Sequence, residues 1–88
     1  MERVLIANRG EIAVRIAHAA AALGIETVAI APPADAAALH TTVATTTVML
    51  PAAGDPVAAY LDIDAVIQAG VDAGCDAVHP GYGFLSEN

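Results

Sequence analysis

An open parallel α/β sheet is the fold class this sequence predicts, and three observations carry it. Short apolar, β-branched runs alternate with longer stretches of helical spacing. The first strand–helix–strand unit fits within residues 1–30, a length that suits a right-handed crossover between parallel strands. Glycine or proline punctuates most of the transitions.

The elements follow in order. Arg3 to Asn8 (RVLIAN) is an apolar run bounded by a turn, as a strand buried on both faces would be. Asn8-Arg9-Gly10 is the turn. Glu11 to Leu23 has helical spacing, with Ile12, Ile16, Ala19, Ala20 and Leu23 on the expected inner face and Gly24 as the cap. Glu26 to Ile30 reads as the second strand. Pro32-Pro33 ends it. Ala34 to Val43 is weakly helical, with Asp35 as its candidate cap. Thr45 to Leu50 is expected as a third strand, followed by a turn-rich loop from Pro51 to Pro56. Asp62 caps a helix from Ile63 to Ala73 whose inner face is expected to carry Ile63, Val66, Ile67 and Val71. Gly70 inside it costs roughly 1 kcal/mol against alanine. Gly74 ends the helix, and Cys75 to His79 is the fourth strand.

Composition narrows the function classes. The 88 residues amount to one small domain or part of one. Net charge is −7, and the only basic side chains besides histidine are Arg3, Arg9 and Arg15, so nucleic acid is not an expected partner. No apolar stretch approaches the roughly 20 residues of a membrane span, and the N-terminus lacks a secretory pattern. No membrane association is expected. The single Cys75 rules out an internal disulfide and suits a reducing, cytoplasmic home. It has no basic sequence neighbour to activate it, and His18, His40 and His79 are too scattered to bind a metal with it.

In open parallel sheets, ligands bind beyond the carboxyl ends of the strands. Two loops there carry unusual residues. Asn8-Arg9-Gly10-Glu11 joins a strand to a helix start, where backbone N–H groups can hold an anion. It has one glycine, so the dinucleotide fingerprint G-x-G-x-x-G is absent. The alternative is a structural turn, with Glu11 and Arg15 as an i,i+4 pair. Glu11, Arg15, His18 and Ala22 share one helical stripe, either a solvated face or a subunit contact. His79-Pro80-Gly81-Tyr82-Gly83 follows the fourth strand: proline stops the pairing, and the glycines permit close backbone approach to a ligand. The competing reading is a tight turn. Ser86-Glu87-Asn88 has the residues of a helix start.

Two long motifs, VLIANRGEIAVRI and HPGYGFLSEN, closely resemble the N-terminal domain of biotin carboxylase, the module found in acyl-CoA, pyruvate and urea carboxylases. LGIETVAI, AD…ALH and YLDIDAVIQAG resemble it too, in order and spacing, so the likeness covers nearly the whole chain. It implies a Rossmann-like sheet of the pre-ATP-grasp type over residues 1–88, incomplete at its C-terminal end, with the ATP-grasp region absent. It also implies ATP-dependent carboxylation of carrier-bound biotin with bicarbonate, using Mg²⁺. The implied partners are the ATP-grasp region, the biotin carboxyl carrier protein and a carboxyltransferase subunit, with a homodimer as the assembly. By the same likeness, Tyr82, Gly83, Glu87 and Asn88 lie near biotin. Arg9, Gly10 and Glu11 pack the first loop, while Arg15 and His18 mark a candidate subunit contact. The sequence departs from the family pattern at His18, Ala22, Pro32-Pro33, Thr45-Thr46 and Ala59. The chain alone is not expected to be catalytic. A stand-alone binding module and a non-functional remnant are the alternatives.

Overall fold

β-Branched and apolar residues form the strands because a pleated surface packed on both faces accommodates them. In the computed structural model, which describes residues 3–35, 38–51 and 56–79, they build a four-stranded parallel sheet in the order β3-β2-β1-β4. The strands are β1 (Arg3–Ile6), β2 (Glu26–Ala31), β3 (Thr46–Met49) and β4 (Ala77–His79). The helices are α1 (Gly10–Ala22), α2 (Leu39–Val43), α3 (Pro56–Tyr60) and α4 (Ile63–Asp72). The predicted fold class is the observed one.

Alternation along β1 divides the core. Leu5 and Ala7 pack with Val28, Ile30, Val66 and Ala69 on the α4 face, whereas Ile6 packs with Ala13 and Ala17 on the α1 face. Both long helices end in the same motif. Gly24 N and Ile25 N donate to Ala21 O and Ala20 O, and Gly74 N and Cys75 N donate to Val71 O and Gly70 O. These are Schellman caps, and each turns the chain straight into the next strand region. The Asp62 carboxylate accepts from Ala65 N at 3.2 Å and caps α4 as expected. Thr27 and Thr45 exchange backbone N–H to Oγ1 bonds of 3.0 and 3.2 Å, clasping the start of β3 onto β2.

Several expectations are corrected. The strand expected from Arg3 to Asn8 ends at Ile6, and the one expected from Cys75 begins at Ala77. The span from Ala34 to Val43 is not one helix: Pro33–Asp35 is a 3₁₀ turn and α2 starts at Leu39. Asp35 caps neither; Ala38 holds the N-cap position of α2. Helix α3 begins where only a loop was expected.

The inner faces also differ. On α1 the buried residues are Ala13, Ala17 and Ala20, while Leu23 is 76% exposed. Ile12, Ile16, Ala19 and Leu23 instead line a recess of ≈ 550 Å³ between α1 and β4. On α4 the sheet-facing residues are Val66, Ala69 and Gly70, and Ile63, Ile67 and Val71 are exposed. Small residues win the contact because they let the helix axis approach the sheet. A Cβ on Gly70 would stand 3.3 Å from Leu5 Cδ2. The cost of glycine within the helix is thus set against this close approach.

Candidate functional site

The sheet changes winding direction at β1: β2 and β3 lie to one side of it and β4 to the other. The crevice of such a sheet opens between the loops after β1 and β4. Ala7 N donates to His79 O at 2.9 Å, tying the two strand ends together at that point. The loop after β1 is described in full; the segment after His79, including Tyr82, Gly83, Glu87 and Asn88, lies outside the described residues.

The first loop is built from the inside out. Asn8 is fully buried, and its Oδ1 accepts from the adjacent Arg9 N at 2.8 Å. Arg9 is extended and occupies the N-cap position of α1 without a side-chain cap bond. Gly10 then takes φ +66°, a left-handed conformation that L side chains rarely adopt. The Arg9 side chain reaches the turn that follows β2, where Asp35 lies.

Arg9 ends in a buried polar chain. Its Nε donates to Asp35 Oδ2 at 3.2 Å, and the same oxygen accepts from the Tyr60 hydroxyl at 2.9 Å. His40 Nε2 lies 3.2 Å from the Tyr60 oxygen and 3.1 Å from Ile30 O. A carbonyl only accepts, so Nε2 carries the imidazole proton, and the Tyr60 proton goes to Asp35. His40 Nδ1 is buried and has no hydrogen-bond partner among the described residues, a deficit of about 1–3 kcal/mol. The Arg9 guanidinium carbon also stands 5.7 Å from the Tyr60 ring centroid, within cation–π range. Burial pushes the Tyr60 hydroxyl well above its usual range, and the Asp35 carboxylate beside it pushes it further. Tyr60 is therefore held as a neutral donor.

A recess of ≈ 410 Å³ adjoins this chain, lined by Arg9, Gly10, Glu11, Val14, Leu39 and His40. Asp35, His40 and Tyr60 were missed as a group because they come from three separate segments. Their one visible signal is that each is a polar residue that directly follows an apolar run.

Glu11 and Arg15 form the expected i,i+4 pair, Arg15 Nη2 to Glu11 Oε1 at 3.0 Å, with both side chains 78% exposed. His18 and Ala22 are exposed on the same stripe, so α1 presents the face that the spacing predicted. Cys75 is half-buried, and its thiol pKa is raised chiefly by burial, which does not suit a nucleophile. Among the described residues, no three His, Cys, Asp or Glu side chains gather as metal ligands. Among them, too, no helix is long and apolar enough to cross a membrane.

With this geometry in hand, relatives are informative. The family model for the biotin carboxylase N-terminal domain matches residues 1–88. Biotin carboxylase of Haemophilus influenzae is 50% identical over 88 residues, covering 100% of this chain and 19% of that protein. The solved biotin carboxylase domain of a single-chain bacterial carboxylase superposes with TM-score 0.92 at 51% identity, over 100% of this chain and 20% of that one. A Hydrogenobacter thermophilus 2-oxoglutarate carboxylase biotin carboxylase domain dimer, solved in complex with MgADP, ADP and bicarbonate, superposes with TM-score 0.89 at 40% identity, over 99% of this chain and 19% of that one. The chain thus spans about a fifth of these relatives. It belongs to the biotin carboxylase N-terminal domain family.

Proposed function

We propose that this chain is the N-terminal domain of a biotin carboxylase subunit, and that the subunit carboxylates carrier-bound biotin with bicarbonate at the expense of ATP. The observation that carries this reading is the family match across all 88 residues, with no part of the chain left over. ATP, Mg²⁺ and bicarbonate are bound by an ATP-grasp region outside this sequence. The chain contains no lysine to clamp phosphate. The 88 residues alone are therefore non-catalytic.

Within the subunit, the chain supplies one wall of the reaction cleft. Arg9, Gly10 and Glu11 shape its first loop, and Tyr82, Gly83, Glu87 and Asn88 approach biotin. The Asp35–Tyr60–His40 chain keeps Arg9 in one orientation at that wall. The exposed stripe with Arg15 and His18 forms the homodimer contact, and the working partners are the biotin carboxyl carrier protein and a carboxyltransferase subunit in the cytoplasm.

The test is ADP release by the purified subunit that carries this chain, supplied with ATP, Mg²⁺ and bicarbonate. Release that depends on added biotin is the expected result, with none from the 88 residues alone. Biotin-independent release, or no release from the complete subunit, overturns the reading.

A further inference from the structure

The recess beside the first loop joins two unmet hydrogen-bonding demands of opposite kind. One belongs to His40. This residue is 2% exposed, and its Nε2 edge is taken up by Ile30 O and the Tyr60 oxygen. With the proton on Nε2, Nδ1 is an acceptor, and among the described residues no donor reaches it. A buried acceptor in that state calls for a donor. The other demand belongs to α1. The first N–H groups of a helix have no partner within it, and Arg9 at the N-cap position makes no side-chain cap bond to them. These groups call for an acceptor, and a negatively charged one suits a helix start best.

Both demands meet at one place. Arg9, Gly10, Glu11 and His40 line the same recess of ≈ 410 Å³, with Val14 and Leu39 as apolar walls. Arg9 brings positive charge: Asp35 holds its Nε at 3.2 Å, and the guanidinium carries further N–H donors besides. Gly10 has no side chain, and nothing stands within 4 Å of the place a Cβ would take, so a ligand can approach the backbone there. Glu11, the carboxylate of the lining, is drawn to Arg15 Nη2 at 3.0 Å. What His40 has left to offer the recess is Nδ1.

We propose that this recess binds a small oxyanion that keeps one proton, of the hydrogen phosphate or bicarbonate class. Its charged oxygens accept from the N–H groups of Gly10 and Glu11 and from the Arg9 guanidinium, and its O–H donates to His40 Nδ1. A fully ionised oxyanion such as sulfate satisfies the first set and leaves Nδ1 unmet. A neutral alcohol satisfies Nδ1 and leaves the positive groups unmet. Selectivity therefore rests on the proton, because a site built around a ligand hydroxyl rejects the analogue that lacks it. The site consists of residues of this chain alone and does not depend on the carboxylase reading.

Binding can be measured without catalysis. The 88-residue chain is titrated at neutral pH with inorganic phosphate, bicarbonate and sulfate at matched ionic strength, and NMR follows the backbone amides and the imidazole nitrogens. Phosphate or bicarbonate should give saturable shifts at the Gly10 and Glu11 amides and at His40 Nδ1, and the tighter of the two names the source of the ligand. Sulfate should bind about tenfold more weakly or not at all. His40→Gln places an amide nitrogen where Nε2 stands and has no counterpart of Nδ1. It keeps the bonds toward Ile30 O and Tyr60 and should bring phosphate down to the level of sulfate. Arg9→Gln should weaken all three anions, and Arg3→Gln at the other end of β1 none. Circular dichroism checks that the variants keep their helix content. If His40→Gln unfolds, the comparison of phosphate with sulfate on the wild type decides by itself. No saturable shift, sulfate binding as tightly as phosphate, or a preference for phosphate that survives in folded His40→Gln overturns the proposal.

Discussion

Arg3 and Arg9 bracket β1, and each guanidinium holds one carboxylate, yet the two ends of the strand use that pair differently. At the amino end, Arg3 Nε and Nη2 both donate to Glu26 Oε1, at 3.1 and 2.9 Å, with side chains 43% and 50% exposed. Such a pair is screened by water and contributes about 0–1 kcal/mol. Its more useful bond is Nη1 to Ala73 O at 2.6 Å, which satisfies a carbonyl at the end of α4. At the carboxyl end, Asp35 is only 13% exposed, and its Oδ2 serves Arg9 and Tyr60 together, with His40 behind them. What a carboxylate contributes therefore depends less on its arginine than on how dry it is and what else relies on it. The amino end is a surface clasp. The carboxyl end, where the crevice opens, is fixed by a buried chain.

Substitutions break or sharpen this contrast, and the largest effect is expected at Tyr60. Tyr60→Ala removes a fully buried ring and should cost about 3–5 kcal/mol in urea unfolding. Tyr60→Phe keeps the ring and removes only the hydroxyl, and should cost about 1–3 kcal/mol. A Phe variant as stable as the wild type would mean that the buried chain does not set the two ends apart. Glu26→Gln should cost about 1 kcal/mol or less, and the loss should shrink as salt is added. Arg15→Ala, which removes the exposed pair with Glu11, should cost only about 0.2–0.5 kcal/mol.

Alkaline pH probes the same chain. The folded structure holds the Tyr60 proton more tightly than an unfolded chain does. The unfolded tyrosine ionises near its ordinary value of about 10. The Tyr60 contribution is therefore fully present below about pH 10 and is lost as pH rises from there toward the higher folded value. Stability measured across that window should fall for the wild type and fall less for Tyr60→Phe. Equal slopes would show that Tyr60 is not held as a neutral donor.

Much of the backbone was legible from the residues. Gly24 and Gly74 mark the two Schellman caps, Asp62 marks the start of α4, and the β-branched runs mark the strands, because each is a local preference acting over a few residues. The rotation of each helix was not legible. Both α1 and α4 are apolar over more than one arc, so periodicity alone allows two phases. Of the residues expected to face inward, Ala20 and Val66 do so, but Ala13, Ala17, Ala69 and Gly70 take the rest of the contact in place of the larger side chains. The family motifs pointed to the loops after β1 and β4, and they named Arg9. They did not reveal that Asp35, which looked like a helix cap, is the hub between Arg9 and Tyr60.

The sequence by itself determined the parallel α/β class, the family and the order of most of the elements, since these rest on local conformation and contiguous motifs. Only the tertiary structure decided which helix face meets the sheet and which distant polar groups meet one another. Close approach selects the small residues for the sheet contact and leaves Ile63, Ile67 and Val71 outside. Burial makes isolated polar groups costly, and that cost joins Asp35, His40 and Tyr60 beneath Arg9.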